Sequence, residues 1–448
     1  MDDSDSVPWP DSAVDAPPAD RESSLSRRRF VVSGLAGVTG LDLGAGSTTA
    51  RQRPGDATVS TGPGGEYDSI NEAIGDASVG DLICVYPGTY EGTVVVDVPG
   101  VAVRSMGLGS AEISGGWAAA GPAVCVRADG VSVRGFRVTH PDGRLGISVD
   151  GDLTGVTIAQ NHVTDIGPFG APGATGIGVG GPQSSLRVAG NVVERVDSGI
   201  ENETAYPVSD GIVLNAAPDT DGAPKSGGEG DGEAEGPSDD SEASEPSAGL
   251  ADSVVRDNVV RRLTSEYACR GIALAADAAE VAVRHNDVYG LAASNQRDAP
   301  NPYAWGIYSA GRTDAVTVKH NVVADVTASA YVGTGVMVRG APDGLAITEN
   351  DITTALGIQN ATDVSLSATL NWWGHRNGPV EAPSNRAVDD LQRRDGQGAY
   401  VGPMTVEPWL TGSIQSANDR TNEYVEGRRT DASISGSDGP ALWRYVTP

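Results

Sequence analysis

Asp210, Arg270 and Trp305 each stand immediately before a Gly-Ile pair, and Thr334 stands before the matching Gly-Val. A carboxylate, a guanidinium and an indole at one repeated position are the parts of a carbohydrate site. The ring face stacks on a sugar, and the guanidinium takes a uronate carboxylate through two parallel hydrogen bonds. Tyr308 lies two positions beyond its glycine and is expected to face the same way as Trp305. The segments leading into these pairs supply Tyr206, Tyr267, Tyr303 and Tyr331. The whole chain is only 5% aromatic, so this clustering is unusual. Tyr206, Tyr267, Tyr303, Trp305, Tyr308 and Tyr331 are therefore the candidate glycan-binding set, with Trp305 as its exposed stacking platform. Two bland readings stand beside it: the aromatics anchor their own loops, and Asp210 with Arg270 is a structural ion pair.

Two other lines of residues carry charge. Arg104, Arg134, Arg256, Arg284 and Lys319 each lie two positions before the point where an asparagine recurs, and alanines fill two intervening places. That basic stripe is a candidate track for an anionic polymer such as a uronate or a sulfated glycan. One position before the asparagine come Asp257, His285, His320 and Glu349. Two imidazoles between carboxylates are a candidate metal pair, although no third ligand closes a shell, so no metal is assigned.

The elements that position these residues follow from spacing. Gly271 and Asn286 are 15 positions apart, as are Gly146 and Asn161, Gly176 and Asn191, Gly306 and Asn321, and Gly335 and Asn350. Gly211 and Asn258 are 47 apart, but a 32-residue run of Gly, Ser, Pro, Asp and Glu, 218–249, lies between them. Without that run the spacing returns to 15. A fixed period of this kind marks a solenoid. Apolar alternation on both sides of the asparagine gives short strands with one buried face. Three strands per coil close a three-sheet parallel β-helix, in which equivalent positions stack about 4.8 Å apart. The asparagines fall at a tight bend, where an asparagine ladder can satisfy turn backbone. Residues 65–74 read as a short amphipathic capping helix with Asp68 as N-cap and Ile70, Ala73 and Ile74 on one face.

A family resemblance becomes visible in two places. The helix with Ile70, Ala73 and Ile74, followed by Gly80-Asp81-Leu82-Ile83-Cys84-Val85-Tyr86-Pro87-Gly88-Thr89-Tyr90, resembles the opening of right-handed parallel β-helix proteins. These are the pectate-lyase-like superfamily, in particular its NosD-like and surface-repeat branches. Asn371-Trp372-Trp373-Gly374 and Glu407-Pro408-Trp409-Leu410 resemble the closing segment. The resemblance implies an all-β, right-handed helix over 58–410 and a groove along the sheet of the Gly-Ile strands. It also implies calcium as a possible cofactor of lyase relatives. No cofactor is identified from the residues themselves. For catalysis Asp210 and Arg270 are the candidates, but neither they, nor Asp150 with Asp152, nor His140-Pro141-Asp142 reproduces a lyase, hydrolase or epimerase motif. NosD-like proteins are associated with copper-site assembly. Four methionines without a Met/His motif do not carry that role over.

The formal net charge is −29, with Lys225 and Lys319 the only lysines. Such a surface repels nucleic acid and anionic lipid, and it resembles that of salt-adapted archaeal proteins. Cys84, Cys125 and Cys269 form no disulfide framework. Residues 1–50 read as an acidic, Pro/Ser-rich leader followed by Ser26-Arg27-Arg28-Arg29-Phe30 and a weak apolar run. This resembles a twin-arginine export signal, so the expected location is extracellular, without stable membrane insertion. Residues 411–448 read as a flexible tail, and 218–249 as a disordered acidic insert within the helix. Asn202-Glu203-Thr204 and Asn360-Ala361-Thr362 are glycan-acceptor patterns. Three functional classes remain open: a monomeric polysaccharide-binding surface protein, a lyase, hydrolase or epimerase acting on an acidic glycan, and a structural or adhesive solenoid.

Overall fold

The computed structural model describes residues 57–60, 65–116, 121–167, 173–198, 207–216, 249–294, 302–329, 332–388 and 394–414. The twin-arginine segment, Tyr206, Tyr331, the Asn202 triplet, residues 218–248 and residues beyond 414 lie outside them.

Every paired strand is parallel, and the chain winds as a right-handed parallel β-helix. Each coil lays one strand in an eleven-stranded sheet, one in a twelve-stranded sheet and one in a nine-stranded sheet. These are the first, second and third sheets below. A fourth, five-stranded sheet of two-residue strands such as Ala278–Ala279 runs along the corner between the first and second. Spacing did not foretell that corner sheet, because two residues cannot show a period. The insert 218–249 joins the first-sheet strand Val208–Ala216 to the corner strand Leu250–Ala251.

The inner core is a single column of Val, Ile and Leu shared by all coils. It explains the Gly-Ile pair. A Cβ on Gly271 would stand 2.4 Å from both Val288 Cγ1 and Gly306 O, and the same crowding recurs at Gly211 and Gly306. Glycine there faces the valine of the third-sheet strand, and only a hydrogen fits. Ile272 and Ile307 follow it into the core.

Between the second and third sheets each coil turns through one left-handed residue. Gln160, Asp257, His285, His320, Glu349 and Leu370 occupy it with φ of 55–59°. That conformation is costly for residues with a Cβ, and the next residue, a buried asparagine, offsets it. Asn258 N donates to Asn286 Oδ1 at 3.1 Å, and Asn258 Nδ2 donates to Asn286 Oδ1 and to Val188 O, both at 3.0 Å. Its own Oδ1 accepts from Asn191 N at 2.9 Å and Nδ2 at 3.0 Å. The pattern runs from Asn161 through Asn371. Phe136, one coil earlier, donates only its backbone N–H to Asn161 Oδ1.

Both ends are closed. The helix Ile70–Asp76 buries Ile70, Ala73 and Ile74, and its N-cap is Ser69, one residue later than the expected Asp68. The Ser69 hydroxyl accepts from Glu72 N at 3.1 Å. Asn71 clips the terminal strand of the first sheet: its Nδ2 donates to Thr93 O and its Oδ1 accepts from Val95 N. An open sheet edge is thereby paired. At the other end Trp373 is fully buried under Gly357. Asp351, in the last third-sheet strand, accepts from Ile414 N at 2.8 Å and from the Ser413 hydroxyl. Packing therefore continues to Ile414, past the expected end at 410. Among the described residues no helix is long and apolar enough to cross a membrane.

Candidate functional site

On the first sheet, Asp210, Arg270, Trp305 and Thr334 are direct neighbours across successive strands. Ala273, Tyr308 and Met337 form the adjoining column. Three positions separate Trp305 from Tyr308, and strict alternation would turn them to opposite faces. The inward-facing Gly306 and Ile307 break the alternation, so both rings emerge on the outer side. Their centroids lie 4.5 Å apart in a stack.

Tyr303 stacks on the other face of Trp305 at 3.9 Å and 18°, and Tyr267 meets Tyr303 edge-on at 5.6 Å. Four rings thus form one continuous aromatic cluster across the neighbouring strands Ala268–Leu274 and Tyr303–Ser309 and the residue preceding the first. Trp305 is only 6% exposed. The expectation of an exposed platform at Trp305 is therefore overturned: Tyr303 and Tyr308 cover its two faces, and the indole is the filling of the cluster. The half-buried rings are Tyr267, Tyr303 and Tyr308. Burial pushes the Tyr303 phenol well above its ordinary range, so it stays protonated.

Arg270 donates from Nε and Nη2 to the two oxygens of Asp210, each at 2.7 Å. Asp210 is 3% exposed. Burial disfavours the Arg270 charge, but the Asp210 carboxylate outweighs it and holds the guanidinium above its ordinary range. The guanidinium also lies 5.8 Å from the Tyr308 ring centre. This pair is closed. Both Asp210 oxygens are occupied, and the bidentate edge of Arg270 is spent on Asp210 rather than offered to a uronate. The two catalytic candidates are thus each other's partner.

Calcium does not fit here either, because both Asp210 oxygens are taken. Asp150, farther along the sheet, is held by Ser148, Cys125 and Arg127. Burial and the Asp150 carboxylate push the Cys125 thiol up to about 12. His285 and His320 do come together, with ring centres 4.9 Å apart. His320 Nε2 is 2.7 Å from Glu349 Oε2. Among the described residues no group of three His, Cys, Asp or Glu side chains could hold a metal. Asn360 is buried, with Nδ2 bonded to Val364 O and Pro403 O, so its acceptor pattern is not presented to solvent.

The basic stripe lies on the second sheet. Arg104 pairs in register with Arg134, and Arg256, Arg284 and Lys319 are consecutive neighbours. Arg187, two positions from the stripe, belongs to the same surface.

Sequence reasoning missed a cluster on the third sheet. Glu194, 5% exposed, takes His162 Nε2 at 2.9 Å, Arg261 Nε at 2.8 Å and Arg262 Nη1 at 3.7 Å. Arg261 Nη1 also donates to the Tyr289 hydroxyl. Asp165 accepts both forks of Arg195 at 2.6 and 2.7 Å and Nη2 of Arg137 at 3.1 Å. Burial pushes both carboxyls up, but these donors outweigh it and hold Glu194 and Asp165 below their ordinary range. The signal was present three and four positions after Asn161, Asn191 and Asn258, where Asp165, Glu194, Arg195, Arg261 and Arg262 stand. A structural network of this kind joins coils, and each acid in it is fully engaged.

No protein-family model matches the chain, and no curated protein does. Among solved structures, the chain is similar to an alginate lyase from Paenibacillus sp. str. FPU-7 at 13% identity. That match covers 75% of this chain and 96% of the other, with a TM-score of 0.39. Pectate lyase Pel9A matches at 13% identity over 76% and 72% of the two chains, with a TM-score of 0.38. The A-module of the Azotobacter vinelandii mannuronan C-5 epimerase AlgE4 matches at 12% over 75% and 88%, with a TM-score of 0.37.

Proposed function

We propose that this chain is an extracellular glycan-binding β-helix that holds a polysaccharide against the aromatic cluster of its first sheet. The observation that carries the reading is the four-ring cluster Tyr267, Tyr303, Trp305 and Tyr308, fixed on or beside neighbouring strands of one outer face. Amphipathic rings held rigidly lose little entropy when a sugar stacks on them. Trp305 braces the tyrosines, and their remaining accessible faces and hydroxyls meet the ligand. Binding is favoured over turnover because the acid and base that chemistry would need here are locked in the Asp210–Arg270 pair. Tyr206 and Tyr331 belong to the same proposal as border residues, on sequence position alone.

Affinity electrophoresis in gels containing neutral or acidic polysaccharides tests this, with the digests assayed for new reducing or unsaturated ends. At least one glycan should retard the parent, and Tyr308→Ala should weaken that binding at least fivefold while melting stays close to the parent. Retardation by none, or an unchanged Tyr308→Ala protein, would refute the site. Product formation would replace binding with catalysis. The extracellular assignment rests on Arg27 and Arg28. Arg27→Lys/Arg28→Lys should retain precursor inside the cell, and normal export of that variant would remove it.

A further inference from the structure

The second sheet treats its cations unlike the third. The chain has 60 acidic side chains against 31 Lys and Arg, so a counter-ion is easy to supply. On the third sheet Arg137, Arg195 and Arg261 are each paired with a carboxylate. On the second sheet, among the described residues, Arg104, Arg187 and Arg284 make no ion pair. Arg256 is paired with the adjacent Asp257, and Lys319 with Glu349.

Register brings these cations side by side. The column runs Arg104, Arg134, Ala159, Ala189, Arg256, Arg284, Lys319 across hydrogen-bonded neighbours. The short side chains of Ala159 and Ala189 leave its middle low. Arg187 stands beside that low stretch, in the column of Thr157 and Val254. Burial, then the charges of Arg256, Arg284 and Arg134, push the Arg187 guanidinium below its ordinary range, with Asp257 opposing. Register thus gathers like charges on one face of a protein rich in acids, with Arg187 and Arg284 lacking a carboxylate partner among the described residues.

We infer that the second sheet carries a binding track for an acidic polysaccharide, with Arg134, Arg187, Arg256, Arg284 and Lys319 as its cationic contacts. The track runs along the helix axis, one coil about every 4.8 Å. A polyuronate offers one carboxylate per sugar ring and can meet successive coils. A nucleic acid duplex has a denser charge and is repelled more strongly by the net −29. The track is on a different sheet from the aromatic cluster and does not depend on it.

The test is affinity electrophoresis with polygalacturonate, dextran and a single-stranded oligodeoxynucleotide as probes, over a series of salt concentrations. The parent should bind polygalacturonate, with affinity falling as salt rises. R187Q/R256Q/R284Q should lose at least tenfold in affinity while its melting temperature is maintained. R137Q/R195Q/R262Q makes the same change in net charge on the third sheet, and should bind polygalacturonate as the parent does. The inference is overturned if the parent does not bind polygalacturonate or if the second-sheet variant binds it undiminished. Equal loss in both triple variants, or oligonucleotide binding as tight as polyuronate binding, also overturns it. None of these outcomes touches Tyr308, so they leave the first-sheet reading to its own test.

Discussion

Breaking the Asp210–Arg270 pair from one side should be expensive. Asp210→Asn leaves a guanidinium that is largely desolvated and has lost both charge-assisted bonds of 2.7 Å. An uncompensated buried charge of this kind costs about 3–5 kcal/mol. With an unfolding entropy of about 2.1 cal/mol/K per residue over roughly 290 packed residues, that is a fall of about 5–8 °C in melting temperature. Arg270→Met should cost a similar amount, because it strands the carboxylate. The double variant Asp210→Leu/Arg270→Met removes both charges and should return to within about 1 kcal/mol of the parent. Thermal melts and a double-mutant cycle in denaturant read this directly. Single variants that melt within 1 °C of the parent, or a double variant that melts as low as the sum of the singles, would refute the closed-pair account. Asp210 would then be available for other chemistry.

Trp305→Ala should lower stability by about 3–5 kcal/mol, since a large buried ring is removed; unchanged melting would restore the indole to the surface. Asn258→Ala should cost at least about 2 kcal/mol, because the Val188 carbonyl and the Asn191 donors lose their partner. A loss under 0.5 kcal/mol in denaturant titration would show that the asparagines only fill space. The Glu194 carboxyl is held below its unfolded-state pKa, so its contribution is complete above that value, near the ordinary 4.5. It is lost as pH falls from there through the lower folded value. Glu194→Gln should therefore flatten the acid limb of the stability curve below about pH 5 relative to the parent, and parallel curves would exclude the mechanism.

The winding of the chain was legible because two residue types are indispensable. Glycine before isoleucine is the residue that fits against the third-sheet valine, and asparagine is the side chain that serves the bend. Together they set register, and register alone places Arg270 between Asp210 and Trp305. What register cannot say is what lies over a side chain. Trp305 lies on the outer face as expected, but Tyr303 covers one side of it by ordinary alternation and Tyr308 covers the other through a break at Gly306 and Ile307 that a period of two does not contain. The Glu194 network was missed for another reason. The third strand has no marker residue of its own, so its charged positions had to be counted from the asparagine, and the count stopped there. Ser69 displaced Asp68 as cap because the helix begins one residue later than its apolar spacing implies.

The asparagine stack also has a consequence for the length of the protein. From Asn191 to Asn350 each amide gives and receives the same asparagine bonds whichever coil it occupies, so two of these coils that are not sequence neighbours can be spliced face to face without a mismatch. Deleting the segment between two asparagines, or duplicating it, leaves every bend complete and moves the end caps nearer or farther by one coil. Size in this molecule is therefore quantised. It can change by whole turns, while a gain or loss of one or two residues is absorbed only where the coil already varies, in the stretch leading to the next glycine.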